Sequence, residues 1–556
     1  MKTNMNFYAG DPNVAVRQIL ESSEEYGMCY EQRERLKKAI YKLPEGSPER
    51  REKLEELNSH SRRSRQMTDS VKQMYEMFST FPLSSPRMAE AERCFLNGDF
   101  TGMDNALPEE EITAEAHQLK QELEEYNDNW EQTERLLREK SYELVLKSLL
   151  HYTHTDNPEW YRNFWNSINE ALDASENAHT LYCNGWYCVM YGYLDRSEEF
   201  YTDATDERWM EEDLSKESKL FFEARCTRQL GYLHFIQNNL PAAIYTSQRA
   251  LRLFTKLQDI NPAAYSSFVA DVLATLGDYH MRSEAYSVAL VEFEEALRIR
   301  RQLAVDNNEG YLPLVAESLN LTGVAHTMKG EARDAIACYE EAIAIERNYL
   351  EYNRMVFMDM LATALSNMAT AYFMLGKYEK IIPLLQEIIE LHRELAVIEP
   401  ENHLPGLAHA LCQIAGQRRL WKEYEESYRS IMEAIAIYRE CALRSPSEYL
   451  PKLAERLSEL DGWCREDGKY AEAIEACRER VDVYRRLAEE SFETYMPQLG
   501  EALNGLATIY NDIFHDREKA LAAASEAYII LKALCRQNPA CEESYNKAAD
   551  IIRALE

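Results

Sequence analysis

Turn formers are scarce in this chain. Its 556 residues include 19 glycines and 17 prolines, about half of the ~12% that the two make up in average globular proteins. So small a supply excludes a β-sandwich or barrel, which needs a tight turn every few residues. Long apolar runs are missing as well. No stretch approaches the ~18 residues that a membrane-spanning helix requires. The opening MKTNMNFYAGDPNVAV lacks the apolar core of a secretory signal. The 12 cysteines are scattered, with no Cys-x-x-Cys pair, which predicts reduced, mostly buried thiols in a cytoplasmic protein. Positive charge is also short. There are 62 Lys and Arg against 95 Asp and Glu, a formal charge of −33. A field of that sign repels nucleic acid and anionic membranes and favours basic or neutral partners. The densest basic run, Arg62, Arg63 and Arg65, lies among glutamates and reads as a solvated helix face.

Catalytic signatures are absent too. The chain has no G-x-G-x-x-G after a strand, no phosphate-binding G-x-x-x-x-G-K-[ST], no H-E-x-x-H and no G-x-S-x-G. His151 and His154 are three apart but have no third ligand near them, and read as solvated residues at a helix end. The expectation is a protein with no catalytic residues, no cofactor and no metal.

What the sequence does hold is a repeat of 46 residues. Leu230-Gly231, Ala243 and Ala250 are followed one stride later by Leu276-Gly277, Ala289 and Ala296, and then by Thr322-Gly323, Ala335 and Ala342. Met368-Ala369, Ala415, Leu460 and Leu506-Ala507 continue the series, the last unit needing one inserted residue. Tyr265, Tyr311, Phe357, His403, Tyr449 and Tyr495 recur at the same stride. Within each unit apolar residues are spaced by three and four, so each unit is a pair of helices. Small residues where the two meet allow a close approach. The prolines of Leu312-Pro313, Leu404-Pro405, Leu450-Pro451 and Met496-Pro497 are expected to start each new first helix. His234, His280 and His326 share one position in three successive units, where packing with hydrogen bonds is expected.

Leu276, Gly277, Tyr286, Ala289, Phe293 and Ala296 carry a resemblance. The pattern resembles the tetratricopeptide repeat, in its longer variant of 42 to 46 residues, similar to kinesin-light-chain-like arrays. The resemblance covers about residues 158–556. It implies an all-α fold, a right-handed superhelix of about seven to eight helix pairs, whose first (A) helices line a concave groove. It places groove residues at the second, fifth, sixth, ninth, twelfth and thirteenth positions of helix A, counted so that the small residue is eighth. These include Arg225, Arg228, Tyr232, Asp278, Arg282, Asn320, Asn367, Thr370, Phe373, Gln413, Arg419 and Asn504. The asparagines suit a peptide main chain, since an amide donates and accepts at once. Arg225, Arg228 and Arg282 are expected to dock an acidic segment or a terminal carboxylate.

Residues 1–156 read differently. A helix from Asp11-Pro12 to about Leu43, a turn at Leu43–Pro48 and a second helix to about Phe78 form a hairpin. A short helix from Ser85-Pro86 to Asn97 and a long charged one over about 112–152 follow. The hairpin either packs on the array or projects from it. Its heptad spacing is loose, so self-association through a coiled coil is the lesser expectation, and the oligomeric state stays open. Residues 157–556 form the array, with a divergent first unit around Gly185 and a capping helix at Glu542–Glu556. Two functions fit. One is a non-enzymatic scaffold that holds a peptide or protein segment in the groove. The other is a peptide- or protein-sensing regulatory subunit with the N-terminal helices as its output.

Overall fold

The computed structural model describes residues 11–40, 43, 48–81, 85–124, 130–153, 159–209, 214–350, 354–535 and 541–555. The expected turn at Leu43–Pro48 and the histidine at 154 fall largely outside them. Every regular element among the described residues is helical, and none is a strand. The chain forms two compact units, Met1–Met374 and Leu375–Glu556.

The 46-residue stride appears directly in the helix boundaries. A helices run Lys216–Ile236, Pro262–Arg282, Asn308–Met328 and Arg354–Met374 in the first unit, and Pro400–Leu420, Pro446–Glu466 and Phe492–Asp512 in the second. B helices run Leu240–Ile260, Tyr286–Asp306 and Ala332–Tyr349 in the first unit, and Ile381–Ile398, Tyr424–Arg444, Tyr470–Glu490 and Arg517–Leu534 in the second. This is an all-α repeat solenoid. The Leu-Pro and Met-Pro elements do not start the A helices. Pro313, Pro405, Pro451 and Pro497 each lie inside a helix that begins five residues earlier, at the cost of one backbone hydrogen bond. The true boundary is a single non-helical residue between B and the next A, at Asn261, Asn307, Glu399, Ser445 and Ser491.

The A-to-B turn is equally regular. Gly192, Asn238, Glu284, Gly330, Gly376, Lys422 and Gly468 recur at one stride with left-handed φ between 59° and 82°. His515 follows one residue late, which puts the insertion of the last unit in its turn. Gly192 carries the register back into the divergent pair Ala178–Met190 and Leu194–Asp203. There Ser197 takes the place of the B-helix alanine and donates to the Gly185 carbonyl at 2.8 Å. Ser427 makes the same bond to Ala415 at 2.8 Å.

Close packing explains the small residues. A Cβ on Gly323 would stand 2.5 Å from the Tyr339 ring, and one on Gly277 would overlap Phe293. These B-helix aromatics are buried, each contributing about 1.5–3 kcal/mol by area. Successive B helices are tied by two-point ion pairs: Arg301 to Glu341, Arg393 to Glu433, Arg439 to Glu479 and Arg485 to Glu526, at 2.6–2.9 Å.

The N-terminal helices differ from expectation in two places. The first breaks at Ser23, giving Pro12–Ser22 and Glu24–Ile40. The long charged helix is two, Glu109–Glu124 and Trp130–Thr153, which pack on each other. Pro48–Phe78 and Pro86–Leu96 form as the sequence implies, the latter capped by Ser85. One apolar core runs from Ala15 through Met74, Phe78, Leu149 and Phe164 to Cys226. The N-terminal helices and the first array helices therefore share a core across residues 156 and 157. His151 is half-buried and pairs with Glu109 at 2.9 Å. All twelve cysteines are free thiols, ten of them buried. No helix of the described residues is long and apolar enough to cross a membrane.

Candidate partner-binding face

The arginines expected at the start of the groove are already used. Arg225 is fully buried, with Nε 2.7 Å from Glu76 Oε2 and its guanidinium 4.4 Å from the Tyr182 ring centre. Arg228 lies 3.7 Å from the other Glu76 oxygen and over the Phe268 ring. Burial alone would raise the Glu76 carboxyl, but Arg225 and Arg228 together hold it below its ordinary value. Arg225 thus does not line an open face. The reason is electrostatic: a guanidinium inside a protein must be paired, and here the acid comes from 149 residues upstream. Pro12, Val16 and Glu76 line one small crevice with Phe268 and Asp271, so the N-terminal helices lie directly on the A helices.

Further along the first unit the A-helix face is open. Tyr232 is 50% exposed and Phe373 53%. Arg282 pairs with Asp278 at 3.0 Å and sits 4.9 Å above the Phe235 ring, which itself stacks on Tyr279. Asn367 Nδ2 donates to Asn320 Oδ1 at 3.0 Å, linking two successive units. Thr370 is exposed and donates to the Ser366 carbonyl. Phe235, Met328 and Met374 also contribute apolar surface. The sequence pattern did not single them out, although they hold the twelfth and thirteenth positions of their helices.

In the second unit, Gln413 contacts His409 at 3.1 Å. Arg419 bridges to Glu466 at 2.7 Å and Asp467 at 3.0 Å, between the rings of Tyr424 and Trp463. Asn504 is 2% exposed and donates to the Ser544 carbonyl of the final helix Glu542–Leu555. That cap removes Asn504 from the open face. The three stacked histidines each bond within their own unit, His234 to Thr246, His280 to Glu292 and His326 to Glu331. His326, Glu331 and Asp334 bring three ligand atoms together within 4.8 Å. Lys329 already stands 2.8 Å from Glu331 and supplies the charge that an ion would bring.

Paired helices in sequence order, a fixed stride and small residues at each crossing define an α-solenoid. Within it, the tetratricopeptide repeat model matches residues 361–403, which take in part of Arg354–Met374, all of Ile381–Ile398 and the start of Pro400–Leu420. That stretch of the chain is similar to a tetratricopeptide repeat. No curated protein matches it. Among solved structures it is similar to the apo form of RapI, at 15% identity over 68% of this chain and 98% of that one, with a TM-score of 0.42. It is similar to BtubC from P. vanneervenii, at 16% identity over 46% and 94%, TM-score 0.35. It is also similar to a signal-transduction ATPase with a tetratricopeptide repeat sensor from Pyrococcus horikoshii, at 12% identity over 91% and 74%, TM-score 0.43.

Proposed function

We propose that this protein is a non-enzymatic interaction scaffold that holds a peptide or protein segment on the A-helix face of residues 216–374. One observation carries the reading. Tyr232, the Phe235–Arg282 pair, the Asn320–Asn367 pair and Phe373 stand exposed or half-exposed at register positions of four consecutive A helices. Aromatic anchors with adaptable amides between them suit a main chain of varied sequence. The basic anchor for an acidic segment is not retained at Arg225 and Arg228, because Glu76 occupies them.

The regulatory reading has its own support. Glu76 and Val16 of the N-terminal helices lie against the same A helices, so a segment bound beside them has a direct route to those helices. The test is native co-purification with the variants Tyr232→Ala and Phe373→Ala combined. Loss of the co-purifying chain, with folding intact, is expected. Full retention refutes the scaffold. A change in small-angle scattering on binding favours the regulator, and an unchanged curve favours the plain scaffold.

A further inference from the structure

Arg480 belongs to the B helix Tyr470–Glu490, yet its guanidinium ends between two A helices. Nη1 donates to Ser458 Oγ at 2.5 Å, and Nη2 lies 3.7 Å from Cys477 Sγ. A Cβ on Gly505 would stand 2.9 Å from Nη2, so that glycine leaves the room the guanidinium fills. Ser458 and Gly505 hold the fifth and sixth positions of Pro446–Glu466 and Phe492–Asp512, both on the face that the A helices line. The side chain therefore passes from the second layer through to that face.

It arrives there without an acid. Among the described residues Arg480 makes no ion pair, and its Nε is buried with no hydrogen bond. Nearby carboxylates are held by others. Asp461 feels the Arg480 charge but binds Arg465. Glu455 and Glu459 bind Arg456 at 2.6 and 2.9 Å. In a chain with 95 acidic and 62 basic residues, a half-buried guanidinium with spare donors is costly to leave unpaired. One turn beyond Ser458, a Cβ on Gly462 would meet nothing within 4 Å, and the same holds for Gly416 one stride earlier. The floor beside Arg480 is bare backbone open to an approaching chain.

We infer that Arg480, with Ser458 and the bare backbone at Gly462, is a docking point on the A-helix face of the second unit for a carboxylate carried by an extended protein segment. A carboxylate matches the planar donor fork of arginine. This rests on the scaffold reading and gives it a second anchor, away from the arginines that Glu76 occupies.

Fluorescence anisotropy on the full chain tests it, with a labelled hexaglutamate peptide as probe and hexaglutamine as its neutral counterpart. Hexaglutamate is expected to bind at low salt despite the net negative charge of the protein, and hexaglutamine not to bind. Arg480→Met should weaken binding at least tenfold and Arg480→Lys less. Gly462→Val, which leaves the arginine in place, should also weaken it by covering the floor. No binding to the wild type, or equal binding to Arg480→Met and the wild type, overturns the assignment. If the native partner is lost with Tyr232→Ala and Phe373→Ala but kept with Arg480→Met, the scaffold stands and this anchor falls. If hexaglutamate binding needs Arg480 while the native partner ignores both faces, the anchor stands and the scaffold falls.

Discussion

Replacing Glu346 by glutamine should stabilise the first unit, and only above acidic pH. The B helix Ala332–Tyr349 buries Ala335, Ile336, Tyr339, Ala342 and Ile343 on one stripe, and Glu346 continues that stripe at 1% exposure. Its Oε2 finds no hydrogen bond among the described residues. Burial pushes the carboxyl up to about 8, from an ordinary 4.5. The folded value lies above the unfolded one, so between about pH 4.5 and 8 the folded state keeps a proton that the unfolded state has released. Stability therefore falls as pH rises through that window and levels off above it. A tenfold difference in proton affinity corresponds to about 1.4 kcal/mol. At pH 7.5, about three pH units above the unfolded value, the loss reaches up to about 4 kcal/mol. Glutamine keeps the shape and the neutral polarity and does not titrate. Amide exchange across residues 332–349 is the assay, because an array opens unit by unit and a global melt averages over it. The variant should match the wild type near pH 5 and be more protected by pH 8. A difference between the two that stays constant from pH 5 to 8.5 refutes the reasoning.

Other outcomes follow from the packing. Gly323→Ala should cost about 1–3 kcal/mol by forcing the Tyr339 ring aside, read as faster exchange in the same helix pair. At the left-handed turn positions, Lys422→Gly should stabilise by up to about 1 kcal/mol, while Gly468→Ala should destabilise by about 1–2 kcal/mol. Two denaturation curves check the opposite signs. A double-mutant cycle on Arg439 and Glu479, which are roughly half-exposed, should return a coupling under about 1 kcal/mol that fades with salt. A coupling that salt does not touch would mean the pair is shielded from water.

Much of the fold was legible because the constraint is local and repeated. Where two helices cross closely there is no space for a large side chain, so Gly231, Gly277 and Gly323 mark their crossings in the sequence itself. The turn was harder to read, because Asn238, Glu284 and Lys422 take a left-handed conformation that glycine signals and they do not. The prolines misled for a related reason. Pro313 and its equivalents look like helix starts, yet a single non-helical residue six places earlier does the turning.

The candidate face was legible in position and obscure in chemistry. The family resemblance, read in the 46-residue register, put Tyr232, Asn320, Asn367 and Phe373 on the A-helix side. It was silent on which charges remain free, because that depends on partners far away in the chain. Glu76 meets Arg225 from 149 residues upstream, and Ser544 closes over Asn504 from 40 residues downstream. Arg480 looks like one more solvated residue of a B helix until Gly505 is seen to leave a passage for it. Spacing of three, four and forty-six determines which helices form and how they stack, since backbone geometry and small-residue contacts are short-range. Which charged groups are satisfied and which stay open is decided only when the tertiary structure brings distant carboxylates within a few ångströms, where Coulomb energy and desolvation are large enough to compete.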